Sequence, residues 1–574
     1  MIRTFGGACA RACTIGIPAT LFPRRRLRVV DGLGKATLTA CRIISNRPGR
    51  EPCHAGRDSG KRGIPINLNR RQLLGGGTAA LGAAPAVAQG LVDCVPCVAQ
   101  NPPTAPSPLR KLRVKPVMTS MLHTASWEGP CRWNNTTVEQ ETASVRNGYA
   151  RWVKEVRETC RFGPAVDLLE PHQVVFDEAF TLPAAGMLAI EKGRDKIDAF
   201  FVSPQGASFA AAEIARRYHK PVVVLTLNCR TVDVAAYART IGEEVLVAAD
   251  NTELERTMWL LRARAAYRET RVLFPTNRGL PSVAPLTGIS DLRELERRFG
   301  IGVRMISYKE LAAEMEKTLE DPAARQKAES AAGELIRGAV ESWLDREYVV
   351  RSLLFRQAVE ALMDTHCCNA FTIECFEFCA SRLPEKWKMT PCLAHTLFKD
   401  AGIASSCEGD LGALLATRML LSVSGKSSHM GNMFQGKDDS VVVNHSVPGI
   451  RMNGFDQPGL PYKLGRFVPS GWGAKAVVDF MQNAEKRATV ARVHPDGTKL
   501  LVLRGTLAGS AGWEKDNLGC SVQAFIKPAT PGAGIRFIRR QTEYGNHLSW
   551  VYGDYGPQPE ELGRLLGIEV EVIS

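Results

Sequence analysis

The sequence predicts an α/β protein: two doubly wound parallel-sheet α/β domains followed by a small antiparallel β-domain. Three observations carry that expectation. Over 112–275, apolar runs of strand length alternate with amphipathic helical stretches, the pattern of a parallel sheet covered on both faces. A second unit of the same kind follows over 276–440. Beyond Gly454, Pro, Gly and aromatic residues rise, and short strands parted by turns such as Pro495-Asp496-Gly497 replace the alternation. Four parts result: a basic leader and linker over 1–111, an N-terminal α/β domain over 112–275, a second α/β domain over 276–440, and a β-rich domain over 441–574.

The elements follow in order. Val114–Leu122 is a predicted strand and Glu139–Thr159 a helix. Strands are expected at Gln173–Phe180, Asp198–Val202, Pro221–Leu227 and Glu244–Ala248, with helices at Pro183–Lys192, Ala207–Tyr218, Thr231–Arg239 and Asn251–Tyr267. The first unit ends with a strand at Arg271–Phe274, and after a loop over Thr276–Gly288 a helix over Ile289–Phe299 starts the second. A strand at Gly302–Ser307 then precedes one long charged helix, Lys309–Leu344. A further helix, Tyr348–Asp364, leads to the apolar strand Ala370–Ile373, whose C-terminal tip is Glu374. Acids at such tips face the crevice where α/β sheets bind ligands. The helix Ala394–Ala401 and the strongly apolar helix Leu411–Val423 close the unit, and GKSSHMGN, with Lys426 and His429, reads as a polar loop. In the last part, strands are expected at Ala488–Val493, Lys499–Arg504 and Ser521–Phe525, then a helix from Pro559 to Leu566 with Gly567 as its C-cap.

Charge and composition exclude several function classes. The chain has 574 residues and a net charge of +14, but residues 1–75 hold 15 Lys/Arg against three acids and so carry +12 of it. The remainder is nearly neutral, without a basic stripe interleaved with aromatics, so no nucleic-acid partner is expected. No apolar run reaches the ~18–20 residues of a membrane span. The leader carries Arg70-Arg71 ahead of a Gly/Ala-rich stretch ending Ala86-Val87-Ala88, the features of a twin-arginine export signal cleaved after Ala88. A periplasmic or exported protein is expected if that signal is used, and a cytoplasmic one otherwise. There is no phosphate loop and no G-x-G-x-x-G after a strand, so no nucleotide is expected. Of sixteen cysteines, the run Cys367, Cys368, Cys375, Cys379, Cys392 and Cys407 reads as small buried thiols. Cys94-Val-Pro-Cys97 has redox or zinc spacing, but sits in a Pro-rich linker without a second pair.

The chemistry concentrates around Cys407-Glu408-Gly409-Asp410. Two carboxylates one residue apart stand just before the apolar helix at 411, and burying an unpaired carboxylate costs several kcal/mol, on the order of a whole protein's net stability. Asn444-His445 follows about 35 residues on in an Asn/Pro/Gly-rich loop. Acids and a histidine so placed point to a divalent-metal or acid/base site. Glu408 also suits a bland role, as a negative charge at a helix N-terminus. Trp472, in Ser470-Gly471-Trp472-Gly473, could stack on a sugar.

Three stretches together resemble the L-fucose/L-arabinose isomerase family of aldose–ketose sugar isomerases. They are Pro391…Cys407-Glu408-Gly409-Asp410-Leu411…Ala413-Leu414, then Asn444-His445, then Asn546-His547 with Val551-Tyr552-Gly553-Asp554 and Leu565-Leu566-Gly567-Ile568-Glu569. The resemblance runs from about Leu112 to the C-terminus. It implies a Mn²⁺-type divalent site, or one for another such cation as Mg²⁺, with Glu374, Asp410 (or its neighbour Glu408) and His547 as ligands. His445 becomes a further ligand or a sugar-hydroxyl contact, with Asn444 on the substrate side. Glu374, Asp410 and Glu408 are the catalytic carboxylates that it implies, moving protons through an enediolate. It also implies a monosaccharide substrate and a homo-oligomer, a trimer or hexamer. The loop after His445 reads Ser-Val-Pro-Gly, without the Cys-Gly of many relatives, and one histidine stands at 547 where relatives often have two. Two other readings stand beside the isomerase: an exported sugar-binding protein of this fold without catalysis, and a metal-dependent hydrolase or lyase acting on carbohydrate.

Overall fold

The computed structural model describes residues 110–126, 136–204, 208–289 and 291–574. The expected leader, Arg70-Arg71, the cleavage point after Ala88 and the Cys94/Cys97 pair lie outside the described residues.

The first sheet is built from β1 (Leu112–Met121), β2 (Val166–Leu168), β3 (His172–Phe176), β4 (Ala199–Pro204), β5 (Val222–Leu225) and β6 (Val245–Ala248). Between them run α1 (Val138–Glu158), α2 (Ala184–Gly193), α3 (Phe209–Tyr218) and α4 (Cys229–Thr240), with α5 (Asn251–Arg268) after β6. All pairs are parallel, in the order β2-β1-β4-β5-β6, with β3 also on β1. The period of two sends alternate side chains to opposite faces. Val117, Phe200, Val202, Val222 and Val224 pack on α2, α3 and α4. Val114, Met118, Phe201 and Val223 meet Trp152 and Val156 of α1 and Leu254, Met258 and Leu261 of α5. Helices therefore cover both faces. β3 stops four residues short of the expected strand end, and Phe180 turns left-handed at φ +52°.

The second sheet comprises β7 (Arg271–Pro275) and β8 (Gly302–Ile306), followed after the two-residue β9 (Glu341–Ser342) by β10 (Ala370–Ile373) and β11 (Ala404–Cys407). Its order is β11-β10-β7-β8, all parallel. Its helices are α6 (Leu292–Phe299), α7 (Tyr308–Glu320), α8 (Pro322–Gly338), α9 (Arg346–Thr365), α10 (Cys375–Ala380), α11 (Leu383–Trp387), α12 (Cys392–Asp400) and α13 (Leu411–Ser424). The single helix expected over 309–344 is two. Pro322 cannot continue α7, lacking an N–H and clashing with the preceding turn, whereas it suits the first position of α8. Asp321 caps that new start, accepting from Ala323 N at 2.9 Å.

The last part contains β12 (His429–Gln435), β13 (Val441–His445), β14 (Tyr462–Arg466), β15 (Ala474–Val478), β16 (Arg487–Val493), β17 (Lys499–Ala511) and β18 (Val522–Lys527). After α14 (Ala533–Tyr544) come β19 (Leu548–Tyr552), α15 (Pro557–Leu566) and β20 (Glu569–Ile573). β16, β19, β12, β13, β18 and β17 pair antiparallel in that order, and β17 returns to β16, so the ring closes as a six-stranded barrel. β20 adds to β17 in parallel, and β15-β14-β9 form a separate small sheet. The segment expected to be a polar loop around His429 is the first ring strand, with His429 fully buried. α13 lies between the second sheet and the barrel. Leu414 and Leu415 share a core with Val272, Ala370 and Ala404 on one side and Ala491, Val493 and Val551 on the other. Every residue from Leu411 to Val423 is buried, as expected of a helix apolar all round. No helix among the described residues is long and apolar enough to cross a membrane.

Candidate functional site

Three residues join β11 to α13, and their backbone sets the site. Glu408 at φ +62° and Gly409 at φ +69° are both left-handed, and Asp410 then caps α13, accepting from Ala413 N at 2.9 Å. A left-handed non-glycine costs on the order of 1 kcal/mol, and such strain concentrates at functional sites. The glycine is required. A Cβ at 409 would stand 2.5 Å from Ser282 Oγ and 2.8 Å from Phe274 Cζ. Gly409 N–H donates to Ile373 O at 3.1 Å, and Ser406 Oγ donates to the Asp410 carbonyl at 2.9 Å. The turn thereby sends the two acids to different partners.

Glu408 meets two histidines brought by the barrel. Its Oε1 lies 3.2 Å from His445 Nε2 at the end of β13, and its Oε2 lies 3.2 Å from His547 Nε2 just ahead of β19. One ligand atom from each of these three residues lies within 4.8 Å of the others. The imidazole centres are 5.7 Å apart. Glu408 is 6% exposed, and the two histidines are 1% or less.

Asp410 stands behind this group. Its Oδ1 receives Arg492 Nη1 at 2.6 Å, and its Oδ2 is 3.0 Å from His547 Nδ1, all three residues being fully buried. Arg492 also donates to the Tyr544 carbonyl at 3.0 Å and the Thr287 carbonyl at 3.1 Å. With both oxygens engaged by protein groups, Asp410 holds the His547 ring through Nδ1 and leaves Nε2 aimed at Glu408. A carboxylate that fixes a histidine in this way is the usual support of a metal-binding imidazole. His445 has weaker backing, with Cys520 Sγ at 3.7 Å from its Nδ1.

Glu374 occupies the tip of β10, beside the tip of β11, and is 1% exposed. Its carboxylate caps α10, accepting from Phe376 N at 3.4 Å and Glu377 N at 2.5 Å. Asn444 alternates away from His445 and lines a groove on the outside of the barrel with Phe434, Val442 and Gln523. Its Nδ2 donates to the Cys520 carbonyl at 3.2 Å. Trp472 ends the turn from Phe467, whose N–H bonds the Trp472 carbonyl, and Lys388 Nζ sits 5.6 Å over its ring. The structure thus brings Glu408, His445, His547 and Asp410 together, sets Glu374 on the adjacent strand tip, and puts Asn444 on the opposite face of β13.

Electrostatics separate the carboxylates. Burial pushes the Glu408 pKa up, but the hydrogen bond with His445 and the charges of His445 and His547 outweigh it and hold the group at about 2. Asp410 also stays at about 2, because Arg492 and His547 overcome its burial. Glu374 moves the other way. Burial raises it, two backbone N–H groups offset part of that, and the nearby charge of Glu408 adds to the rise. One acid is thereby kept ionised and its neighbour is made easier to protonate, which is how environments divide such roles.

The residues fit a divalent cation. His547 Nε2 is buried and has no hydrogen-bond partner among the described residues, although Glu408 Oε2 is at ion-pair distance. No hydrogen bond joins the two atoms, so His547 Nε2 is left for a cation. Two imidazole nitrogens and a carboxylate suit Mn²⁺ or another transition ion better than Mg²⁺ or Ca²⁺, which take oxygen ligands. Arg492 and Cys520 were not anticipated from sequence. Arg492 carried a usable signal, since an arginine inside the apolar strand Ala488–Val493 needs a buried anion, whereas nothing local marks Cys520.

No family model matches the chain. Two curated proteins, each named sulfoquinovose isomerase, from Priestia aryabhattai and Priestia megaterium, are 27% identical to it over 187 residues. That stretch is 32% of this chain, and the chain spans about 40% of the length of these relatives. The likeness is a distant and partial homology to sugar isomerases.

Proposed function

We propose that the chain is a divalent-metal-dependent isomerase interconverting an aldose and a ketose. The observation that carries this reading is the convergence of Glu408, His445 and His547 on one buried point, backed by Asp410 and Arg492. The distant homology to sulfoquinovose isomerases supports the sugar and makes sulfoquinovose the first substrate to test.

In this reading Glu408, His445 and His547 hold the cation, a ligand set that admits Mn²⁺, the ion the family resemblance implies. The bound ion supplies Lewis acidity towards the sugar's carbonyl and adjacent hydroxyl oxygens. Glu374, its pKa raised by burial and by the charge of Glu408, moves the proton between C2 and C1 of the sugar through an enediolate. Glu408 remains ionised beside its histidines. Asp410 and Arg492 keep His547 in one tautomer and orientation, and the buried walls exclude water from the reacting carbons.

The test follows a sulfoquinovose sample, then a panel of aldoses, in D₂O with Mn²⁺. The expected result is a ketose of unchanged composition with deuterium at the exchanging carbon. Chelation should stop turnover and added Mn²⁺ restore it. Glu408→Gln should lower kcat by at least roughly a hundredfold, more than an outer-shell partner costs. Release of a second product would identify a hydrolase or lyase instead. Sugar binding that ignores chelation, with no ketose formed, would leave a binding protein.

A further inference from the structure

A second cluster of ligand atoms shares Glu408. Cys407 is the last residue of β11, immediately before Glu408, and Cys375 is the first residue of α10, immediately after Glu374. β10 and β11 are parallel neighbours with Ile373 opposite Cys407, so Glu374-Cys375 and Cys407-Glu408 meet side by side at the sheet's C-terminal edge. The Cys375 and Cys407 sulfurs and a Glu408 oxygen all lie within 4.8 Å of one another. Neither thiol takes part in the isomerase chemistry above.

We propose that Cys375, Cys407 and Glu408 form a second cation site, selective for a thiophilic divalent ion of the Zn²⁺ or Cd²⁺ class. Tetrahedral zinc with Zn–S near 2.3 Å and Zn–O near 2.1 Å places S···S about 3.8 Å and S···O about 3.6 Å apart. The observed set closes to those edges by about an ångström at most. Thiolates favour such ions over Mn²⁺ and Mg²⁺, so Mn²⁺ is left to the imidazole–carboxylate site and Cd²⁺ reports on this one. Cys407 is buried and supplies the rear ligand, whereas Cys375 is partly exposed beside the exposed Phe376 and gives an incoming ion its path. Two thiol protons leave to solvent as the ion binds. Cys379, one turn along α10, falls outside this set, and Cys392 and Cys520 each contact Ser446 Oγ, at 3.2 and 3.5 Å. An ion on the thiols takes a Glu408 oxygen from His445 or His547. Occupancy therefore inhibits turnover, a consequence that rests on the isomerase reading, while the site itself does not.

The full chain is titrated with Cd²⁺ and followed by the thiolate-to-cadmium charge-transfer band in the ultraviolet. The readout is the difference between wild type and variant, because other cysteines are present. Cys375→Ser should remove the tightest one-equivalent phase or weaken it more than tenfold, and Cys407→Ser should do the same. Cys392→Ser with Cys520→Ser should leave it intact. If Cys407→Ser fails to fold, the partly exposed Cys375→Ser still decides. In turnover assays Zn²⁺ should inhibit wild type at concentrations at least tenfold below those needed against Cys375→Ser, with uninhibited rates alike. No tight phase in wild type, or one unchanged by Cys375→Ser, overturns the proposal. A cadmium phase behaving as expected in a protein that forms no ketose retains this site and removes the isomerase reading. Ketose formation without that phase does the reverse.

Discussion

At Asp410 a fully buried carboxylate and a fully buried guanidinium sit 2.6 Å apart, and neither has water to fall back on. Breaking such a pair by removing one charge leaves the other stranded, at about 3–5 kcal/mol. Asp410→Asn should therefore lower stability by that amount in urea unfolding, besides loosening His547. Adding Arg492→Met should recover more than half of the loss, and an unchanged urea midpoint for Asp410→Asn would dismiss the pair as a stabilising element. Lys399 is a second buried charge, fully covered, with its Nζ donating to the Val447 carbonyl two residues after His445. Burial lowers its pKa to about 7 from 10.5. Between those values the unfolded chain binds more protons than the folded one, so this lysine makes stability rise with pH. Lys399→Met removes that term. Its stability advantage over wild type should shrink by about 2 kcal/mol between pH 7.5 and pH 9, at 1.36 kcal/mol per unit. A constant difference across that range would show that Lys399 is charged in the fold.

Among the elements, the barrel is what carries both histidines to Glu408. β12 and β13 meet at Gly431, where an added Cβ would stand 2.7 Å from the Asn444 backbone carbon and oxygen, next to His445. Backbone cannot swing aside as a long side chain can. Gly431→Ala should cost about 1–3 kcal/mol in thermal unfolding, the usual range for overpacking. It should also lower kcat, because the end of β13 must shift. Wild-type stability together with wild-type turnover would show that the β12–β13 contact has slack. On the other side α13 is pinned by its capping Asp410 and by a sheath of apolar contacts, so the Glu408 turn has a fixed base.

For the molecule as a whole, a cation held as proposed, by Glu408 after β11, His445 at the end of β13 and His547 just before β19, would tie the second sheet to the barrel. Ligand at a hundred times its Kd adds about 2.7 kcal/mol to the folded state. Chelation should lower the Tm accordingly and Mn²⁺ restore it, and an unmoved Tm would argue against a cation at this junction. Much of the architecture was legible beforehand. The alternating strands and helices from β1 to β11, and the buried helix after Asp410, announce themselves through periods of 2 and 3.6 residues. Closure of the barrel was not legible, because the pairings of β19 with β12 and β16 and of β13 with β18 are non-local and leave no local pattern. His547 could be picked out from the closing motif. Which acid faces the histidines could not, since two successive left-handed residues at 408 and 409 decide it and spacing carries no dihedral. His429 misled for a related reason: a polar sequence became a buried strand when the ring closed over it.

Ring closure also sets a timetable. His547 lies 137 residues beyond Asp410, and the strand it introduces, β19, bridges β12 and β16. A chain emerging from the ribosome holds Glu408 long before it holds His547, and contacts of such separation form late in folding. The site is consequently a receipt for completed folding. A nascent or half-folded chain has the acids and no paired imidazoles, so on the proposed reading it can neither trap a cation tightly nor turn over a sugar. Binding strength gained at that last step favours the finished barrel over every earlier state.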